Sequence, residues 1–200
     1  MEEYNGIEEM LKRKAQRIDA LKTLTREIVG DAKKITLEIG CGKGHYLSSY
    51  AAAYPKELCI GIDLISERIK DSKRRAEKKG AANAHFVKAE AGEFLASLPE
   101  GCVLENIFIM FPDPWPKKRH HKRRLIQEPF IDTLRTKCSP ESVWYFRTDY
   151  DEYFEWAKDV VNASHTWRID ENTVLPFEEV SQFQRILKVY NTFAARPVFE

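Results

Sequence analysis

The stretch KITLEIGCGKG, residues 34–44, decides how this chain folds. Residues 34–40 read as a strand that runs into glycines. Residues 44–54, GHYLSSYAAAY, read as a helix ended by Pro55. A strand, a glycine turn and a helix in that order predict a β-α unit of an α/β sheet. Working outward, the alternation continues. Strands are expected at residues 57–64, 85–89, 106–111 and 143–149, the third of these an unbroken apolar run of the kind a buried central strand shows. Helices are expected from Ser66, read as an N-cap, to Lys79, at 92–98, at 126–137 despite Pro129, and after Asp149. The tail has β-rich pieces near residues 166–169 and 186–190. The fold class is therefore α/β: a doubly wound, Rossmann-like, mostly parallel sheet with helices on both faces.

Before this domain, residues 1–30 read as a helix. Ile7, Met10, Leu11, Ile18, Leu21, Leu24 and Ile28 recur at mixed helical spacing, with Lys12, Arg13, Lys14 and Arg17 between them. The expected organisation is a basic helical arm, residues 1–30, on one domain, residues 31–200.

Composition narrows the classes. With 43% hydrophobic and 12% aromatic residues, 200 residues can build a real core. The 32 basic and 31 acidic residues nearly cancel, so any nucleic-acid signal must come from local clusters. Cys41, Cys59, Cys102 and Cys138 are scattered, show no zinc spacing and fit free thiols in a reducing cytosol; no metal is expected. There is no signal-peptide pattern and no membrane-length apolar run, so the expected location is cytoplasmic, without a membrane partner.

In doubly wound sheets, ligands bind beyond the carboxyl ends of the strands. Gly40, Gly42 and Gly44 follow GxGxG, not the GxGxxG of dinucleotide loops, and no GKS or GKT follows. Glu38 lies two residues before Gly40, where a carboxylate would repel pyrophosphate. It suits a cofactor with an ammonium and a sulfonium, S-adenosylmethionine. Asp63 ends the second strand at the distance expected of a ribose-binding acid, and Glu90 after the third is placed for the adenine amino group. The bland alternative is that these acids cap helices.

FPDPWPKKRHHKRR, residues 111–124, follows the fourth strand. Asp113 stands where adenosylmethionine-dependent folds face the transferable methyl, and Pro112 and Pro114 stiffen the backbone around it. Lys117, Lys118, Arg119, Lys122, Arg123 and Arg124 read as a phosphate-contacting block, against the alternative of a solvated loop. Trp115 either stacks on a base or plugs the core.

LEIGCGKG, GIDL, NAHFVKAEA, FPDPWPKKRHHKRR and FRTD, in this order and spacing, resemble the tRNA (guanine-N7-)-methyltransferases over about residues 34–157. The most specific piece is DPWPKKRHHKRRL. The resemblance implies a class I methyltransferase fold, S-adenosylmethionine as cofactor and tRNA as partner, with methylation of a guanine N7 in the variable loop. It implies that Glu38, Asp63 and Glu90 bind the cofactor, that Asp113 is the active-site aspartate, and that Lys117 and Asp149 bind substrate. The family's Thr-x-Phe/Tyr-Glu motif near the C-terminus reads Ser181-Gln182-Phe183-Gln184 here, so Ser181 keeps the hydroxyl and Gln184 loses the charge. The rival enzyme reading is methylation of an exocyclic base amine, whose Asp/Asn-Pro-Pro-aromatic motif DPWP approaches with its last two positions exchanged. The non-enzyme rival is a weakened RNA-binding member of the fold. The expected assembly is a monomer or homodimer.

Overall fold

A computed structural model describes residues 2–178 and 189–199, with side chains described from residue 7 onward. The elements run α1 (Glu2–Val29), β1 (Lys34–Ile39), α2 (His45–Ala53), β2 (Cys59–Asp63), α3 (Ser66–Lys79), β3 (Ala84–Lys88), α4 (Ala91–Ser97), β4 (Val103–Met110), α5 (Glu128–Arg135), β5 (Cys138–Thr148), α6 (Asp151–Ala163), β6 (Trp167–Ile169) and β7 (Asn191–Pro197). A short 3-10 helix, Lys118–Arg123, sits between β4 and α5.

The sheet has seven strands in the order β3-β2-β1-β4-β5-β7-β6. Pairs among β1 to β5 are parallel, and β7 runs antiparallel to β5 and β6. The order reverses between β1 and β4, which opens the ligand crevice of such sheets at the ends of those two strands. Glu38 pairs with Phe108 across that junction.

Alternation along the strands builds two cores. Ile35, Leu37, Ile39, Trp144 and Phe146 face one side and pack with Leu21, Phe94, Leu134 and Tyr153 from α1, α4, α5 and α6. Phe108, Val143 and Tyr145 face the other and pack with Tyr46, Leu47, Tyr50 and Ile69 from α2 and α3. Each fully buried large apolar side chain contributes roughly 1.5–3 kcal/mol. Glu38, between Leu37 and Ile39, therefore points to the α2 side. All four cysteines are free and buried.

Several boundaries differ from expectation. Ser66 is inside α3, Ile65 holds the N-cap position and no side chain caps the helix. Pro129 lies in the first turn of α5, where its missing N–H costs nothing. The piece at 166–169 is β6, but the second tail strand is Asn191–Pro197. Of the expected strand at 186–190, residues 186–188 lie outside the described residues, and Val189 and Tyr190 precede β7. Ser181 and Gln184 also lie outside the described residues. The N-terminal helix packs through its second half: Thr25 Oγ1 donates to the Ser97 carbonyl at 2.7 Å, and Arg17 pairs with Glu93 of α4.

Candidate active site

The glycine turn is held on both sides. The Gly40 and Cys41 amides donate to the Ile62 carbonyl, each at 2.9 Å, and Ser72 Oγ of α3 donates to the Gly42 carbonyl at 3.0 Å. The Gly42 amide donates to Asp63 Oδ2 at 3.1 Å, and the Ile65 amide to Asp63 Oδ1 at 2.8 Å. Asp63 is thus a fixed carboxylate between the ends of β1 and β2. Gly44 begins α2 at φ +68, and a Cβ there would stand 2.7 Å from Ser72 Cβ. Only glycine fits both that backbone and that gap.

Glu38 is 3% exposed at the end of β1. Its Oε2 is buried without a hydrogen-bond partner among the described residues. Burial pushes its carboxyl up to about 8; a bond from the Leu47 backbone lowers it, and the nearby Asp63 charge raises it. An acid held this way is poised to receive a cation or a donor.

Glu90 does cap a helix: the Glu93 amide donates to Glu90 Oε2 at 2.9 Å. Its side chain is nonetheless exposed at the rim. Beside Asp63, Leu64 and Ile65 are 64% and 45% exposed, an apolar pair that the sequence reading passed over. Two apolar residues directly after a strand-end acid were the available signal.

The turn after β4 is bracketed by two non-glycine residues in the left-handed region, Phe111 at φ 52 and Trp115 at φ 46. Such residues cost about 1–3 kcal/mol each and persist only where their surroundings dictate them. Asp113 is exposed between them. Lys117, Lys118, Arg119, Lys122 and Arg123 are exposed beside it, and the Arg123 guanidinium lies 4.9 Å over the Trp115 ring. Trp115 is half-buried, so it neither plugs the core nor presents a bare face.

Arg124 departs from the expected basic block. It is 2% exposed, donates through Nε to the Pro114 carbonyl at 2.9 Å, and pairs with Glu152 at 3.1 Å. Tyr153 and Trp156 of α6 each lie 5.1 Å from its guanidinium. Its charge serves the turn from within, so it is not a surface phosphate contact. Asp149 is exposed at the end of β5. Five strand ends therefore bring Glu38, Asp63, Glu90, Asp113 and Asp149 to one rim, with a basic surface alongside.

A family described as "Putative methyltransferase" matches residues 32–193. A tRNA (guanine-N(7)-)-methyltransferase of Caulobacter vibrioides is 36% identical over 142 residues, covering 71% of this chain and 62% of that protein. One from Chromohalobacter salexigens is 32% identical over 172 residues, covering 86% of this chain and 68% of that protein. The chain thus spans about three-fifths of the length of the first of these relatives. Among solved structures, a 16S rRNA (adenine(1408)-N(1))-methyltransferase of Catenulisporales acidiphilia has a similar fold, with TM-score 0.59, 16% identity, and 89% and 92% of the two chains covered. That likeness is one of fold: both chains carry a Rossmann-like α/β sheet. The chain belongs to the tRNA (guanine-N7-)-methyltransferase family.

Proposed function

We propose that this chain transfers a methyl group from S-adenosylmethionine to N7 of a guanine in the variable loop of tRNA. The observation that carries the reading is Glu38. It is a buried carboxylate with an orphaned oxygen, beside the glycine turn at the switch point of the sheet. That donor set fits a cationic cofactor and opposes a pyrophosphate. Glu38 and the turn of Gly40, Gly42 and Gly44 would hold its methionine end, Asp63 its ribose, and Glu90 its adenine amino group. Leu64 and Ile65 offer the adenine ring an apolar face. When bound, S-adenosylmethionine supplies an electrophilic methyl.

Guanine N7 carries a lone pair and no proton, so no general base is required of this chain. The work left to its residues is orientation and charge placement. Asp113 faces the guanine: its carboxylate accepts from the N1–H and the amino group, which selects guanine over adenine, and it offsets the positive charge that develops on the ring. N7 lies in the groove of stacked RNA, so the base is turned out to reach Asp113. Lys117 and Asp149 hold the substrate, while Lys118, Arg119, Lys122 and Arg123 meet phosphates. Ser181 and Gln184 complete the substrate side of this proposal, and the cytoplasm is where its substrate would be met.

The test is transfer of labelled methyl to unmodified tRNA transcripts, with the modified base mapped. Cleavage by aniline after borohydride reduction, at a single variable-loop guanine, is the expected result. Label in an exocyclic amine, or none in tRNA despite measurable cofactor binding, would replace this reading with the amine or binding-module alternative.

A further inference from the structure

Arg147 closes β5 on the α2 side of the sheet and is 3% exposed. It lies inside the FRTD stretch, where the sequence reading gave a role only to Asp149. Each of the three guanidinium nitrogens of Arg147 donates to a partner. Nη1 and Nη2 donate to Glu178 Oε2 and Oε1 at 2.9 and 2.7 Å, and Nε donates to Thr192 Oγ1 at 2.8 Å. Its flat face lies 4.4 Å over the Tyr190 ring.

Its backbone reaches the other way. The Arg147 carbonyl accepts from the Phe111 amide at 2.7 Å, and Phe111 is the left-handed residue that opens the Asp113 turn. The Phe111 ring stands edge-on to Tyr190 at 6.2 Å. Burial keeps the Tyr46 hydroxyl protonated far above the usual tyrosine range. Glu38 and Glu178 add to that effect and Arg147 opposes it, so one hydroxyl on α2 senses all three charges.

We propose that Arg147 is a positioning residue for methyl transfer, with Glu178 as its counter-charge: it pins Glu178, Tyr190 and Thr192 to the end of β5 and so fixes the turn that carries Asp113. This rests on the function proposed above. A buried cation is costly, and an apolar residue would serve a plain core better. The planar fork of an arginine sets direction as well as charge, which a turn strained at Phe111 and Trp115 requires.

The charges give an order of effects that a merely structural pair would not. Glu178 is half-exposed, with a side-chain exposure of 56%, so losing Arg147 strands no buried anion. Losing Glu178 leaves an uncompensated buried cation on the same face of the sheet as Glu38, two strands away, where a sulfonium is to bind. A merely structural pair would show that order in melting temperature only, with cofactor affinity and kcat unmoved.

The experiment uses the full chain with Arg147→Met, Arg147→Lys and Glu178→Gln. Calorimetry gives S-adenosylmethionine affinity, steady-state kinetics give kcat and KM for tRNA transcripts, and hydrogen exchange reports on the amides of Phe111, Asp113 and Trp115. Arg147→Met is expected to lower kcat by about tenfold or more with KM for tRNA within about threefold, and to speed exchange at Phe111 by about tenfold. Arg147→Lys recovers only part of kcat, because it lacks the fork. Glu178→Gln weakens cofactor binding by about tenfold, and Arg147→Met by less than about threefold. Unchanged exchange at Phe111, near-normal kcat in Arg147→Met, or the reverse order in cofactor binding would each overturn the proposal. If Arg147→Met does not fold, Arg147→Lys and Glu178→Gln decide by the same readouts. If the wild-type chain transfers no methyl to tRNA, the function fails, while exchange and calorimetry still judge Arg147.

Discussion

Arg124 donates to the Pro114 carbonyl at 2.9 Å from a position that is 2% exposed, so the proline next to Asp113 is held from inside the protein. Its neighbours in sequence, Arg119 and Arg123, are exposed. Arg124→Ala should therefore act on stability: loss of the bond and of two aromatic contacts is expected to cost about 2–3 kcal/mol. For a chain of this size that lowers the melting temperature by roughly 4–12 °C. Calorimetric melting is the check.

Arg119→Ala should do the reverse. Its melting temperature stays put, tRNA binding weakens, and the slope of log affinity against log salt drops by about one. Binding titrations across a salt series separate the two arginines.

Asp113→Ala is expected to lower kcat by about 100-fold or more with little change in melting temperature, since the carboxylate is exposed and the proposed function gives it a role only toward substrate. Near-normal turnover at saturating tRNA would remove it from the centre of the site.

Gly44→Ala combines a left-handed φ of +68 with a Cβ only 2.7 Å from Ser72 Cβ and 3.0 Å from the Phe86 ring. Strain and overpacking together are expected to cost about 2–4 kcal/mol, and to impair cofactor binding through the displaced turn. Gly40→Ala, whose Cβ would meet nothing within 4 Å, carries only the backbone term and should melt higher than Gly44→Ala. Parallel denaturant titrations of the two variants are the check.

Glu38 gives the pH dependence. Burial raises its carboxyl to about 8 in the folded chain, above the ordinary carboxyl value near 4.5 that it has when unfolded. Its contribution to stability is fully present below that ordinary value and is lost as pH rises through about 8. Binding of a cation favours the ionised form, so S-adenosylmethionine affinity should rise with pH toward about 8 while the free protein grows less stable. Glu38→Gln should remove both trends. Melting and calorimetry from about pH 5 to about pH 9 test the opposed signs.

The rim was legible in sequence because its acids sit at strand ends, and strand ends follow from local pattern. Glu38, Asp63 and Asp113 needed only the alternation of strands and helices to be placed. Burial of a charged residue is a different matter. Nothing in KRHHKRR separates Arg124 from Arg123, because Glu152, Tyr153 and Trp156 reach it from α6, well along the chain. Arg147 was hidden for the same reason: its partners Glu178, Tyr190 and Thr192 come from beyond α6. β7 escaped because Asn191, Thr192 and Arg196 interrupt its apolar run, and it becomes a strand by pairing with β5 and β6.

The four buried cysteines make the chain its own stopwatch. Burial pushes the thiols of Cys59 and Cys138 up to about 12, and those of Cys41 and Cys102 upward as well. An alkylating reagent needs a thiolate it can touch, so each one reacts only when its surroundings part. Cys41 times the glycine turn, Cys59 the strand beside it, and Cys138 the start of β5. Mass-resolved alkylation with and without S-adenosylmethionine would then clock, thiol by thiol, which parts of the sheet the cofactor holds shut.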